Sequence, residues 1–258
     1  MKVTVCQIDS RPGFLDDQLQ ALGEHLQHQG SDFLLLPEMG LFEWLAAEPT
    51  PDGSRWRQAV RAHEGHISRF EELGVARVCG TRPVINECGS RRNQAYLWTR
   101  ENPRPIGFHE KYYLPDEEGY FEHSWYDRGA KQFDTARAGD ALVGVQICTE
   151  MWFFEWARTY AAARVDLLCI PRATPHGSTA KWLAGGQAAA VCAGAYGLSS
   201  NLWCPEGQRA NLGGLAWVVD PEGNILATTD ENTPFVTVEV DLEYSRRSKS
   251  AYPRYVPE

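Results

Sequence analysis

The chain has 258 residues, with 25 Lys or Arg against 34 Asp or Glu and a net charge of -9. No basic run interrupts that acidic balance, which argues against nucleic acid as a partner, and no apolar stretch reaches membrane-spanning length. A hydrophobic share of 43% with 23% charged residues suits a globular protein with a sizeable core.

The seven cysteines are odd in number and scattered, with no CxxC pair. That speaks against a disulfide frame and a zinc site, and for a reducing compartment. The sequence opens on an expected strand at 2–8 rather than on a leader, so a cytoplasmic protein is expected. A loop at Arg11-Pro12-Gly13 leads to a helix with Leu15, Leu19, Leu22 and Leu26 on one face, closing near Gly30. The short apolar run Phe33-Leu34-Leu35-Leu36 reads as a buried strand, stopped by Pro37 and delivering Glu38. A carboxylate placed there is either solvated at the sheet edge or used. A second helix carries Trp56, Val60, His63, Ile67 and Phe70 on one face, so His63 reads as a packed core histidine.

Strands are expected at 75–80, 82–86 and 93–98, with a hairpin turn at Glu87-Cys88-Gly89-Ser90. A further strand near 106–109 leads into a loop rich in charge and aromatics from Glu110 to Gly129. Long structured loops of that kind are often functional. Later strands are expected at 166–170, 197–202, 215–219, 225–227 and 235–240, with an alanine-rich helix at about 179–195. The polar tail 244–258 lacks a core of its own and is expected on a subunit interface. Helices and strands alternate without a linker-like break, which predicts a single α/β domain over 1–258.

The apolar run 141–147 reads as a buried strand that stops at Cys148. Helical spacing then takes over through Trp152, Phe153, Trp156, Ala157, Tyr160, Ala161 and Arg164. A cysteine at such a turn lies near the positive end of a helix, which favours a thiolate and suits a nucleophile. Taken alone, Cys148 is equally well a small buried hydrophobe.

Acyl transfer needs a nucleophile, a base and positive charge where the oxyanion forms. Cys148, Glu38 and Lys111 offer these at three expected strand ends. Three blocks carry a resemblance: Leu34-Leu35-Leu36-Pro37-Glu38; His109-Glu110-Lys111-Tyr112-Tyr113-Leu114-Pro115-Asp116 with Gly119-Tyr120-Phe121-Glu122; and Gly144-Val145-Gln146-Ile147-Cys148-Thr149-Glu150. With them the sequence resembles the nitrilase superfamily of carbon–nitrogen hydrolases over essentially its whole length. The resemblance implies Glu38 as general base, Cys148 as nucleophile and Lys111 as oxyanion stabiliser, with the Thr149 backbone N–H as a second donor. It implies that Glu122 orients Lys111 and the substrate amine. It further implies a four-layer α-β-β-α sandwich, a homodimer formed through helices beside the active-site strand, and a small amide-like substrate.

The Lys111-to-Glu122 loop looks closer to the amidase and N-carbamoyl-amine hydrolase branches. Glu150 stands where those often carry aspartate and nitrilases often carry glutamate, so a nitrilase stays an alternative, as does a non-catalytic binding relative. The expected pocket draws on Tyr113, Thr149, Trp152, Arg172 and His176, with Arg172 as a candidate for a substrate carboxylate. No cofactor and no metal are expected, because no histidine follows His176 to complete a metal-dependent phosphodiesterase set.

Overall fold

A computed structural model describes residues 1–256. Strand β1 (Lys2–Ile8) is followed by α1 (Leu15–Gln29), whose carbonyls are closed by Gly30 at φ 63°. Next come β2 (Phe33–Leu35) and α2 (Gly53–Ile67), the latter capped by the Asp52 side chain, which accepts from the Ser54 and Arg55 N–H groups. Strands β3 (Arg77–Ile85), β4 (Arg91–Thr99) and β5 (Asn102–Glu110) form an antiparallel meander. The second half holds α3 (Glu122–Trp125), β6 (Thr135–Ala138), β7 (Ala141–Val145) and α4 (Phe154–Ala162). It continues with β8 (Leu167–Arg172), α5 (Thr179–Ala193), β9 (Tyr196–Leu202) and β10 (Trp217–Val219). The last elements are β11 (Ile225–Thr228), β12 (Phe235–Glu239) and α6 (Leu242–Ser248).

The main path of strands runs β5-β4-β3-β2-β1-β9-β8-β7-β6, and β1 is its pivot. Val3 to Val5 pair in parallel with β2, whereas Gln7 and Ile8 pair in parallel with β9. Alternate residues along β1, β2 and β3 feed two cores, as a pleated strand requires. Val3, Val5, Phe33, Leu35 and Cys79 pack with Val143, Val145 and Leu167 from the second half. Cys6, Ile8, Leu34, Leu36 and Val78 pack with Leu22 and Leu26 of α1. The parallel strands β1, β2, β7, β8 and β9 are buried almost throughout, which is why apolar residues dominate β2 and β7. The polar residues Thr4, Ser199, Ser200 and Asn201 in β1 and β9 are buried with hydrogen-bond partners.

Several expected boundaries move. The two strands read at 75–80 and 82–86 are one, β3, because past Cys79 it pairs with β4 alone, and an edge tolerates Pro83. Phe70 belongs to a separate 3₁₀ turn, Phe70–Leu73, rather than to α2. The helix expected straight after Cys148 begins at Phe154, and Cys148–Trp152 is a 3₁₀ turn. Strand β6 and helices α3 and α6 carry too short a pattern to be read in advance.

The polar tail does find a surface on its own chain. Lys249 Nζ donates to the carbonyls of Val165, Ala193 and Gly194, and Ser248 Oγ donates to Gly194 at 2.6 Å. Two of the acceptors, the Ala193 and Gly194 carbonyls, are at the end of α5, where helix carbonyls lack partners within the helix. Residues 257 and 258 of that expected tail lie outside the described residues. His63 is fully buried, with its Nδ1 on the Ala59 carbonyl at 2.8 Å, and burial pushes its pKa down to about 4. Among the described residues, no helix is long and apolar enough to cross a membrane.

Candidate active site

Four strands deliver the site at their C-terminal ends, where ligands of open parallel sheets bind. Glu38 lies three residues beyond β2, Lys111 directly follows β5, and Cys148 lies three beyond β7. Ala173 and Thr174 follow β8. Two of the turns are left-handed at ordinary residues: Met39 has φ 46° and Cys148 has φ 49°. Such a conformation costs on the order of 1–3 kcal/mol at a non-glycine residue and persists only where the surroundings enforce it. At Met39 the enforcement is visible, since its N–H donates to Thr81 Oγ1 at 2.8 Å and the Glu38 N–H donates to the Arg172 carbonyl.

Lys111 is fully buried between two carboxylates. Its Nζ lies 2.7 Å from Glu38 Oε1 and 2.6 Å from Glu122 Oε2. Burial by itself would push the ammonium's pKa down, but Glu122 and Glu38 together outweigh it and raise the pKa, so the lysine stays charged. Asn93 Nδ2 adds a second donor to Glu38 Oε1 at 2.8 Å, and the Tyr126 hydroxyl donates to Glu122 Oε2. Burial raises the pKa of both acids against the opposing pull of Lys111, that of Glu122 to about 8.

One oxygen of each acid, Glu38 Oε2 and Glu122 Oε1, is buried with no hydrogen-bond partner among the described residues. Such orphan acceptors are rare. The Cys148 thiol is close enough to Glu38 to favour its carboxylate form as a hydrogen-bond donor, which leaves Glu122 Oε1 to call for a donor from outside the chain. Cys148 is 3% exposed, and its Sγ lies 3.9 Å from the Ala173 carbonyl. Contrary to the thiolate expected from the turn, burial and then the Glu38 charge push the thiol's pKa well up. The resting group is therefore a thiol that needs a base, and a carboxylate of raised pKa stands beside it.

A cavity of about 430 Å³ opens over Cys148 and Glu122. Thr149 and Trp152 line it, as expected, together with Tyr120, Thr174 and Trp182. The other three expected pocket residues lie elsewhere. Arg172 is buried and fully engaged, donating to Ser199 Oγ, Thr174 Oγ1 and the Leu215 carbonyl at 2.6–2.8 Å, with its guanidinium 4.4 Å over Trp217. It ties β8 to β9 and does not line the cavity. Tyr113 stacks on Phe153 with centroids 3.5 Å apart and accepts from Trp156 Nε1. His176 Nε2 lies 2.8 Å from the Cys204 carbonyl and borders a different cleft.

Sequence reasoning also missed the group that joins the lysine and cysteine segments. Glu150 is fully buried, and its Oε1 accepts the Tyr112 N–H while its Oε2 accepts the Ile147 N–H, both at 2.8 Å. Tyr112 adjoins Lys111 and Ile147 adjoins Cys148, so one carboxylate fixes the spacing of both. His109 completes the clamp, with Nε2 2.7 Å from Glu150 Oε2 and Nδ1 2.8 Å from the Gln132 carbonyl. Burial opposes charge on this ring, yet Glu150 more than offsets it and the His109 pKa is raised. The His109-x-Lys111 and Cys148-x-Glu150 spacings were the available signals.

The carbon–nitrogen hydrolase family model matches residues 2–250. The chain belongs to that family. It is similar in structure to a carbon-nitrogen hydrolase from Helicobacter pylori G27, with TM-score 0.85 and 17% identity over 99% of this chain and 94% of that one. It is also similar to an amidase from Nesterenkonia sp. AN1, solved with the acetamide moiety of fluoroacetamide added covalently at its active site cysteine. There the TM-score is 0.76 and the identity 21%, over 96% of this chain and 92% of that one. In sequence it is 32% identical over 160 residues to the N-carbamoylputrescine amidase of Oryza sativa subsp. japonica, covering 61% of this chain and 52% of that protein. The first two curated relatives are spanned over 31% and 48% of their length. Its fold is a nitrilase-like α/β domain.

Proposed function

We propose that the protein hydrolyses a small amide or N-carbamoyl compound through a thioester on Cys148. The observation that carries this reading is the buried Glu38–Lys111–Glu122 set beside Cys148, with Glu122 Oε1 unpartnered at the cavity floor. An amide or carbamoyl –NH₂ brings the N–H donor which that oxygen lacks. A nitrile nitrogen carries no hydrogen and brings none.

In this reading Cys148 Sγ adds to the carbonyl carbon as its proton passes to Glu38. The oxyanion is stabilised by the Lys111 ammonium and the Thr149 N–H, which act where negative charge develops. Glu38 then gives its proton to the departing nitrogen, the C–N bond breaks, and ammonia or an amine leaves. Water, losing a proton to Glu38, attacks the thioester. The acid departs and Cys148 recovers its proton. Glu38 thus serves as base and acid in turn, a duty helped by a pKa raised toward neutrality.

The test is ammonia release from a panel of primary amides, N-carbamoyl amines and nitriles. Turnover of amides or carbamoyl compounds in preference to nitriles supports the reading, and preference for nitriles overturns it in favour of a nitrilase.

A further inference from the structure

The walls of the Cys148 cavity are aromatic, but its mouth is charged in an ordered way. Asp116 and Glu117, on the loop after β5, line the cavity and are exposed. Ser178 and Lys181, at the start of α5, line the cavity from a different element. The N-terminus of α5 has no side-chain cap and no acidic residue in its first turn, so its partial positive charge adds to that of Lys181. Lys181 Nζ lies 5.4 Å above the Trp152 ring, which holds it over the cavity wall. Among the described residues, none of Asp116, Glu117 and Lys181 forms a salt bridge. Below them, the buried and unpartnered Glu122 Oε1 marks the same cavity as a ligand site.

We propose that this mouth binds a zwitterionic, amino-acid-like end of the substrate. Its ammonium faces Asp116 and Glu117, and its carboxylate faces Lys181 and the N-terminus of α5. The scissile amide or ureido group then reaches Cys148 past Trp152. The proposal rests on the hydrolase reading for that last placement and adds the class of substrate: an α-amino acid whose side chain ends in a carboxamide or ureido group. Opposite charges on two elements fix the direction in which such a molecule enters, a role rim charges serve better than affinity.

The test separates binding from chemistry. Calorimetric titration of Cys148→Ala protein compares glutamine and citrulline with the same compounds lacking the carboxylate or lacking the ammonium. Loss of either charge is expected to weaken binding about fivefold, the scale of an exposed ion pair. In Lys181→Met the penalty for losing the carboxylate should shrink below about twofold, and in D116N/E117Q the penalty for losing the ammonium should do so, as a coupled pair requires. The proposal is overturned if a singly charged analogue of either compound binds as tightly as its parent. It is also overturned if the variants weaken all ligands alike. Ammonia release by the wild-type protein on the same set tells the two readings apart. The binding order without turnover leaves the subsite standing and removes the hydrolase reading; turnover without the binding order does the reverse.

Discussion

Lys111 shows how much of the site depends on one charge. It stands between two acids that burial alone would protonate, and they in turn keep it ionised. Removing one member of a buried ion cluster costs about 3–5 kcal/mol, more than the net worth of the pair, because the remaining charges lose their partner. Lys111→Met should therefore lower unfolding free energy by that amount in urea titrations. It should also lower kcat at least a hundredfold, the scale for loss of an oxyanion donor. A second expectation concerns pH. In the proposed mechanism Glu38 acts as a base only when ionised, and burial raises its pKa, so kcat/KM should fall on the acid side at a pH above the ordinary carboxylate value. The Tyr126 hydroxyl favours the ionised form of the neighbouring Glu122, whose charge opposes ionisation of Glu38, so Tyr126→Phe should move that limb downward in a pH–rate profile. Glu38, Lys111 and Cys148 were legible because each sits in a compact motif at a strand end, and Glu122 because it closes the Gly119-Tyr120-Phe121-Glu122 block. Asn93 and Tyr126 were not, since they reach the cluster from a mid-strand position and from a loop with no motif of its own. Arg172 misled because a strand-end arginine looks free until Ser199, Thr174 and Leu215 are seen to occupy it.

Between elements, the Glu150 clamp does for spacing what Lys111 does for charge. It bonds the segment after β5 to the segment after β7, and it neutralises His109. Glu150→Gln should leave the buried imidazole without its counter-charge, costing about 3–5 kcal/mol in chemical unfolding. It should also lower kcat more than it raises KM, since the floor of the cavity and not its mouth is displaced. Helix α2 carries a different pH response. His63 is held neutral in the fold at a pKa near 4, below the ordinary 6.5, so the unfolded chain binds the extra proton between those values. Stability from this residue is complete above 6.5 and is lost as pH falls toward 4, by about 3 kcal/mol at the full shift. Unfolding at about pH 7.5 and about pH 4.5 should show that loss in the wild type and a smaller one in His63→Gln. The helical period placed His63 in the core from sequence alone, whereas the four-residue β6 and the four-residue α3 were too short to show a period.

At the scale of the molecule, the fold was legible because its central strands are buried on both faces and read as apolar runs separated by helical spacing. What the sequence hid is how the tail is anchored. The polar composition of 244–258 suggested a subunit interface, and within the chain Lys249 and Ser248 are donors to the carbonyls at the end of α5. Polar residues that satisfy a helix end look the same in sequence as polar residues that face water. The two halves of the strand path, hinged at β1, bring loops from both together over one cavity, and the account stands or falls on the sulfur at its floor. The most direct measurement is peptide-mapping mass spectrometry of protein quenched during turnover of a primary amide. The account predicts the acyl mass on the peptide that holds Cys148, far less of it in Glu38→Gln, which lacks the base and acid for acylation, and neither adduct nor ammonia from Cys148→Ala. Sustained turnover by Cys148→Ala, or an acyl group on any other residue, would contradict it.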